Sequence, residues 1–292
     1  MSWAAHELES YFIQKHTSAK VSYLAILLGC LLPDLMTKLP VYGVRIGSFS
    51  FKAAVPAEYH RGWPGVGFTH SLLFGVLVAG LVLWATGNRA WFLGLLLGQW
   101  AHVLTDTFDS VGTMVFFPFT TQHYTTGMWA YAAQAGRYGD ASAYYSSLGG
   151  VWDFIWLCLA LTGYQVFSRD FFFRVVVPND PGVWGWLRRR FGLSSTAMLA
   201  LYRCYFIYGG CRMFAWFIWS RLIEKDPLDW SWGGPFWVEK APTTSTPVAD
   251  YLRNTAVGAV GLTVALYLLW RVVGQRLWRR AERRELAGAE LA

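Results

Sequence analysis

Two apolar helices and the turn between them are predicted for residues 71–108, SLLFGVLVAGLVLWATGNRAWFLGLLLGQWAHVLTDTF. Residues 71–87 hold no charged side chain, and residues 90–108 hold one, at Asp106. Gly87-Asn88-Arg89 between them is typical of a tight turn. Each helix has close to the ~20 residues that cross a hydrocarbon core about 30 Å thick. The stretch therefore predicts a helical hairpin in a bilayer, with residues 71 and 108 at the same level.

The composition of the whole chain favours an integral membrane protein. Of its 292 residues, 54% are hydrophobic and 15% charged, and the mean hydropathy is +0.30, whereas soluble domains have about 25% charged residues. Aromatic residues make up 18%, which suits a belt at the lipid–water boundary. A disordered, collagen-like or disulfide-scaffold chain is excluded. The cysteines lie in apolar stretches and are expected to be small buried hydrophobes: Cys30, Cys158, Cys204 and Cys211.

Further helices are predicted on both sides of the hairpin, so the expected fold class is all-α, an integral membrane helical bundle. Residues 3–15 favour a short amphipathic helix. As a helix, the apolar residues 21–32 cover only about 18 Å, so we expect them to be embedded without crossing and to end at Pro33-Asp34. No cleavable signal peptide is predicted, because no basic region precedes an apolar core. The remaining segments are predicted as loops at 37–67, 168–195 and 223–254 and as membrane spans at 149–167, 196–222 and 255–274.

The sequence predicts three parts. Residues 1–120 hold the site in a helical domain that includes the hairpin. Residues 121–148 are expected to lie outside the membrane, and residues 149–292 to form a transmembrane anchor with a basic tail. Because Lys and Arg favour the cytoplasmic side, we expect the C-terminus in the cytoplasm and the site on the other face of the cytoplasmic (inner) membrane.

The basic residues are clustered, and the formal net charge is +7. Arg188–Arg190 and the basic residues between Arg271 and Arg284 lie near tryptophans and predict contact with anionic lipid headgroups. Nucleic-acid binding is the competing interpretation of such clusters. No zinc-finger, ribonucleoprotein or helix-turn-helix pattern accompanies them, so nucleic acid is not an expected partner.

Four residues are expected to meet at one end of the hairpin. His102 and Asp106 are spaced i, i+4 and share a helix face, while His70 begins the antiparallel partner helix and Asp34 ends the first apolar helix. Ionisable groups at membrane depth are costly and usually functional. Two His and two Asp suit Zn²⁺, and also Mn²⁺ or Fe²⁺. The competing interpretations are a structural hydrogen bond for His-x-x-x-Asp and a turn residue for Asp34.

Nearby polar residues are assigned as follows. Thr69 or Ser71 is expected to cap the helix that follows. Asp109 either supports the metal ligands or begins the loop. His16 and His123 have no partner in the pattern and are expected at the surface.

Six short blocks also occur in a specific order and spacing: His6, CLLPD at 30–34, HRG at 60–62, FTHSLL at 68–73, GQWAHVLTD at 98–106 and GTMVFFP at 112–118. In these blocks the chain resembles the YdjM-like membrane-bound metal-dependent hydrolases. That family is distantly similar to the helical fold of zinc-dependent phospholipase C and P1 nuclease. The resemblance covers about residues 1–120 and does not extend to 149–292.

The resemblance implies metal ligation by Asp34, His70, His102 and Asp106. It implies His6 as a further ligand, to a second ion bridged by Asp106, and His60 as a ligand or acid/base group. His6 can reach the site only if residues 21–36 do not cross the bilayer.

The chain departs from the family pattern in three ways, which bear on the number of metal ions. Met36 replaces a second acidic residue of the Pro-Asp motif. An insert at 63–67 separates His60 from His70. The downstream His-x-x-x-Glu of the phospholipases is not evident.

The function that the resemblance implies is hydrolysis of a phosphoester of a lipid or lipid-linked substrate. One or two Zn²⁺ ions would lower the pKa of a water molecule toward ~7, and Asp34 or Asp106 would orient that water. Arg61 would clamp the phosphate; its competing interpretation is an interfacial arginine. The alternative function is a non-catalytic membrane protein whose structural metal supports assembly or partner binding. The oligomeric state stays open.

Overall fold

The computed structural model describes residues 2–17, 20–42, 44–51, 67–129 and 141–233, with 247–250, 252, 264, 267–268 and 270–276 beyond them. The N-terminal half contains α1 (Trp3–His16), α2 (Tyr23–Tyr42), α3 (Leu72–Thr86) and α4 (Arg89–Thr105). Strands β1 (Val44–Ile46) and β2 (Phe49–Phe51) form an antiparallel hairpin after α2, with Val44 opposite Phe51. Single 3-10 turns lie at Gly67–His70 and Asp106–Phe108.

The C-terminal half contains α5 (Ala141–Tyr145), α6 (Leu148–Thr162), α7 (Pro181–Phe191) and α8 (Ser195–Trp219). A 3-10 turn at Tyr164–Phe167 follows α6. Short helical segments then run through Arg169–Phe171, Phe172–Val176 and Val177–Asn179, the middle one as a π-helix. Further π-helical turns lie at Ser220–Glu224 and Trp270–Gly274. The helical prediction is thus confirmed for the described residues, which add only the small β-hairpin.

The predicted hairpin forms as α3 and α4. Gly87 adopts the left-handed conformation (φ 68°) at the end of α3, and the Asn88 side chain caps α4 by accepting from Trp91 N. Both signals were readable from the sequence. Ser71 caps α3 by accepting from Phe74 N. Of the two residues predicted as caps, the structure therefore shows Ser71 in this role and not Thr69.

Three boundaries differ from the predictions. Helix α2 does not end at Pro33-Asp34 but continues to Tyr42. An interior proline loses one helix hydrogen bond and crowds the carbonyl four residues earlier, so the sequence favours an end there, and the helix continues because its packing in the fold outweighs that cost. Asp34 is therefore inside a helix. In the loop predicted at 37–67, the structure places the end of α2 and the β-hairpin, while residues 52–66 lie outside the described residues. The loop predicted at 168–195 is largely helical.

Among the described helices, none is both long and apolar enough to cross a membrane. The crossing spans predicted at 71–87, 90–108, 149–167 and 196–222 fall on α3, α4, α6 and α8, none of which is both long and apolar enough. Helices α3 and α6 have 15 residues each and α4 has 17, whereas a crossing needs about 20. Most of the span predicted at 255–274 lies outside the described residues.

The largest buried cluster joins α1 to the C-terminal half. Tyr11, Tyr202, Phe172 and Trp184 lie at its centre, each at most 4% exposed. Only Cys30 of the cysteines is buried. The prediction that Cys158, Cys204 and Cys211 are buried is wrong, because these cysteines lie on outward faces of α6 and α8.

Candidate metal centre

Four side chains that the sequence predicts as a group come together at the end of α4. One ligand atom from each of Asp34, His70, His102 and Asp106 lies within 4.8 Å of the other three. Each of the four residues is at most 2% exposed. Two imidazoles and two carboxylates therefore share one buried volume.

Asp106 faces all three histidines of the region. Its Oδ2 lies 3.3 Å from His102 Nε2 and 3.9 Å from His70 Nε2. Its Oδ1 lies 3.4 Å from His6 Nε2. The second carboxylate, Asp34, has its Oδ1 3.8 Å from His70 Nε2. The two oxygens of Asp106 thus serve different imidazoles.

The opposite ring nitrogen of each histidine has a partner of its own. His102 Nδ1 lies 2.6 Å from the Cys30 carbonyl oxygen, and His70 Nδ1 lies 3.1 Å from Thr69 Oγ1. His6 Nδ1 lies 3.2 Å from Glu9 Oε2. Because a carbonyl oxygen only accepts, His102 donates from Nδ1 and presents the lone pair of Nε2 to Asp106. Metal-binding histidines usually show this arrangement, in which a partner at one nitrogen orients the other toward the ion.

The donor atoms fit a divalent cation. His6 Nε2 and His102 Nε2 are buried without a hydrogen bond to any described residue, and the two rings stack with centroids 3.8 Å apart. Nitrogen lone pairs and carboxylate oxygens that face one another at 3.3–3.4 Å repel unless a proton or a cation lies between them. Imidazole and carboxylate together suit Zn²⁺, Mn²⁺ or Fe²⁺.

Close packing of α2 on α4 places Asp34 beside His102. A Cβ atom at Gly98 would lie 2.2 Å from the Ile26 carbonyl oxygen, and one at Gly94 would lie 2.8 Å from the Ser22 carbonyl oxygen. Small residues at a four-residue spacing allow two backbones to approach this closely. The approach also brings the Cys30 carbonyl within reach of His102.

Gln99 fixes the turn that presents His70. Its Nε2 donates to the carbonyl oxygens of Thr69 (3.2 Å) and Ser71 (2.9 Å). Trp100 adds a bond from Nε1 to the Leu72 carbonyl oxygen (3.0 Å). We did not predict Gln99 as part of the site; a buried amide three residues before His102 in an apolar helix was the available signal.

Helix α1 brings His6 to the centre and is held by polar contacts at its start and in its middle. Ser2 donates its hydroxyl to Asp153, which also accepts from Tyr144 (2.7 Å) and Tyr145 (2.9 Å). Glu7 pairs with Arg212 of α8 at 2.7 Å. Burial raises the pKa of Glu7, and the Arg212 guanidinium opposes that shift.

The other sequence-predicted residues have different positions. His60 and Arg61 lie outside the described residues. Asp109 Oδ1 accepts from the backbone N–H groups of Val111 and Gly112 and so organises the loop after α4. His16 is exposed as predicted, whereas His123 is half-buried, with Nδ1 3.1 Å from the Val111 carbonyl oxygen.

A protein family model matches the part of the chain that contains this site. The family model described as YdjM inner membrane protein matches residues 4–172, which include every residue of the buried cluster. The match extends past the 1–120 of the sequence resemblance. Neither the curated proteins nor the solved structures contain a significant match to the chain.

Proposed function

The chain belongs to the YdjM inner membrane protein family, and we propose that it is a metal-dependent hydrolase that cleaves a phosphoester of a lipid or lipid-linked substrate. One observation carries the proposal. Within one buried cluster, the Nε2 atoms of His6, His70 and His102 turn toward Asp34 and Asp106, while each Nδ1 atom has another partner.

Asp34, His70, His102 and Asp106 are the residues that would hold the ion, with His6 as a further donor on the Oδ1 side of Asp106. Zn²⁺ is the proposed cation, and Mn²⁺ or Fe²⁺ share the donor preference. When bound, such an ion supplies a Lewis acid and makes a water molecule acidic enough to react near neutral pH. Both one and two ions are compatible with five donor residues.

The protein side chains would orient the reactants. Asp34 and Asp106 supply the carboxylate oxygens that would accept a hydrogen bond from the attacking water. In this proposal Arg61 holds the phosphate through a bidentate contact, and His60 acts as acid/base group or ligand.

The proposed substrate class depends on two supports. One is the resemblance to zinc-dependent phospholipase C and P1 nuclease, which is an analogy between folds. The other is the apolar outer surface of α3, where Leu77 and Leu81 are each 60% exposed. Such a surface on the helix that follows His70 suits a substrate that arrives from the lipid phase. Anionic headgroups at the exposed Arg188–Arg190 are the proposed lipid partners.

One observation favours a second candidate function, a structural metal site in an assembly or partner-binding module. All four clustered residues are at most 2% exposed, and four protein ligands are enough to close a tetrahedral zinc site. A catalytic site instead keeps one position open for water or substrate.

Metal analysis and hydrolysis assays test both functions. We expect the purified protein to contain a transition metal and to release phosphate from a panel of lipid phosphates. His102→Ala and Asp106→Ala should lose both properties, because each removes a donor from the centre. His16→Ala, which removes an exposed histidine of α1, is the matched control and should retain both.

The outcomes separate the candidates. Bound metal without hydrolysis of any lipid phosphate favours the structural role. The proposed hydrolase activity is contradicted if the wild-type protein contains no metal, or if a folded Asp106→Ala variant keeps full activity.

A further inference from the structure

Glu9 is a buried carboxylate beside the candidate centre that the sequence analysis did not single out. It lies three residues after His6 on α1 and is 0% exposed. Its Oε2 is 3.2 Å from His6 Nδ1, the ring nitrogen that faces away from Asp106. His6 is therefore held between two carboxylates, Glu9 at Nδ1 and Asp106 at Nε2.

The partner of His6 differs in charge from those of the other two imidazoles. His70 faces the neutral Thr69 hydroxyl, and His102 faces the neutral Cys30 carbonyl. A carboxylate is a stronger acceptor than either group. Glu9 therefore favours the form of His6 that carries its proton on Nδ1 and has a lone pair on Nε2.

Packing alone does not account for an acidic residue at position 9. Glu9 Oε1 is buried without a hydrogen bond to any described residue. Such an atom costs free energy when it is moved from water into the interior, and an apolar side chain would fill the same volume without that cost. The carboxylate is thus explained better by its contact with His6 than by the stability of α1.

We propose that Glu9 is a positioning residue that holds His6 in the Nδ1-protonated form and so adds His6 Nε2 to the cation-binding atoms of the centre. This inference depends on the metal centre under the proposed function. It assigns Glu9 no contact with the ion or the substrate. Its effect passes entirely through the orientation and tautomer of His6.

The test measures the affinity of purified protein for Zn²⁺ by competition with a chromophoric chelator. Removing a partner that orients a metal-binding histidine typically weakens affinity by about 10–100-fold, and we expect that loss for Glu9→Leu. Glu9→Gln keeps the volume and an acceptor oxygen but loses the charge, so its loss should be smaller but measurable. Gln14→Leu is the matched control, a buried residue of α1 whose amide atoms bond to no described residue, and should bind as wild type does.

A second measurement reports on His6 directly. The ¹⁵N shifts of labelled histidine distinguish the two tautomers, and the chain has six histidines. We expect His6 to carry its proton on Nδ1 in the wild type and to lose this preference in Glu9→Leu. A merely structural role for Glu9 would leave the tautomer unchanged.

The outcomes keep the two proposals apart. Wild-type affinity and an unchanged His6 tautomer in folded Glu9→Gln protein overturn the role of Glu9, even where Glu9→Leu fails to fold. If His102→Ala binds Zn²⁺ as tightly as the wild type, the metal centre itself is wrong. Loss of affinity in His102→Ala, but not in either Glu9 variant, rejects only the inference about Glu9.

Discussion

At the scale of single residues, Asp180 connects three helix starts. Its Oδ1 accepts from Ser22 Oγ at 2.5 Å and from Trp91 Nε1 at 3.0 Å, and its Oδ2 lies 3.4 Å from Leu24 N. Ser22 and Leu24 lie at the start of α2, Trp91 lies in the first turn of α4, and Asp180 itself precedes α7. One buried side chain therefore holds the C-terminal half against the pair of helices that builds the centre.

Asp180→Ala should destabilise the protein by about 2–3 kcal/mol, because it leaves the buried Ser22 hydroxyl and the Trp91 indole N–H without an acceptor. Asp170→Ala is the control. It removes an exposed ion pair with Arg174 (3.3 Å), a type that contributes about 0–1 kcal/mol. Thermal unfolding in detergent compares the two, and equal midpoints would contradict the structural role of Asp180.

The stability contribution of Asp180 should also depend on pH. Burial raises the pKa of this carboxyl above its ordinary value of 3.8, against the hydrogen bonds from Ser22, Leu24 and Trp91. The raised pKa belongs to the folded state. The stabilisation of the fold that depends on protonated Asp180 is therefore fully present at pH values below 3.8 and is lost as pH rises through the pKa of the folded state. Asp180→Asn does not titrate, so the wild type should gain stability relative to this variant as pH falls in that window. Unfolding midpoints at several pH values measure the difference, and a constant difference would reject the prediction.

At the scale of elements, the contact of α2 with α4 positions the centre. The Gly98 position leaves no room for a Cβ atom against the Ile26 carbonyl oxygen, and backbone atoms cannot yield as a flexible side chain can. The same contact sets the distance from the Cys30 carbonyl to His102. Helix packing and imidazole orientation are therefore coupled through α2.

Gly98→Ala should destabilise the protein by about 1–3 kcal/mol, the usual range for overpacking a tight contact, and should weaken metal binding. Gly80→Ala in α3 is the matched control, because a Cβ atom there meets nothing within 4 Å. That change should stabilise its helix by about 0.5–1 kcal/mol. Unfolding midpoints and metal content report both effects. A stable Gly98→Ala variant with full metal content would show that the close approach is dispensable.

At the scale of the whole molecule, a continuous apolar stripe faces outward along α3. Leu73, Leu77, Leu81 and Trp84 recur at helical spacing and are 36–84% exposed. Large exposed apolar surfaces mark contact with a membrane or a partner. Membership of an inner membrane protein family favours lipid as the contact.

A fluorescent label at Leu77→Cys should therefore be quenched by nitroxide-labelled lipids when the protein is reconstituted in vesicles. The background for this experiment replaces the exposed Cys158, Cys204 and Cys211 by serine and keeps the buried Cys30. A label at Thr126→Cys, in an exposed part of the loop after α4, is the control and should escape quenching. Equal quenching at both positions would contradict a specific lipid-facing stripe.

Much of the site was predictable because its residues follow helical spacing. His102 and Asp106 are one turn apart, and the Gly87-Asn88-Arg89 turn returns the chain so that His70 comes back to the same end. Asp34 joins the cluster as predicted, but it lies inside α2 rather than at the end of that helix. Glu9, Gln99 and the Cys30 carbonyl were not predicted. Gln99 and the Cys30 carbonyl act across contacts between segments that are distant in sequence, which spacing along one helix does not report. Glu9 has helical spacing from His6, but the spacing alone does not show that both side chains are buried at the centre.

By itself the sequence determined the helical class, the hairpin of α3 and α4, and the group of Asp34, His70, His102 and Asp106. These features depend on local propensity, turn residues and periodicity, which act over a few residues. Only the tertiary structure decided that α2 continues past Pro33, that His6 reaches Asp106, and that each imidazole has a partner at Nδ1. Those features depend on how closely the helices pack. The Gly98 contact sets the distance between α2 and α4, and the buried polar bonds of α1 hold His6 against Asp106.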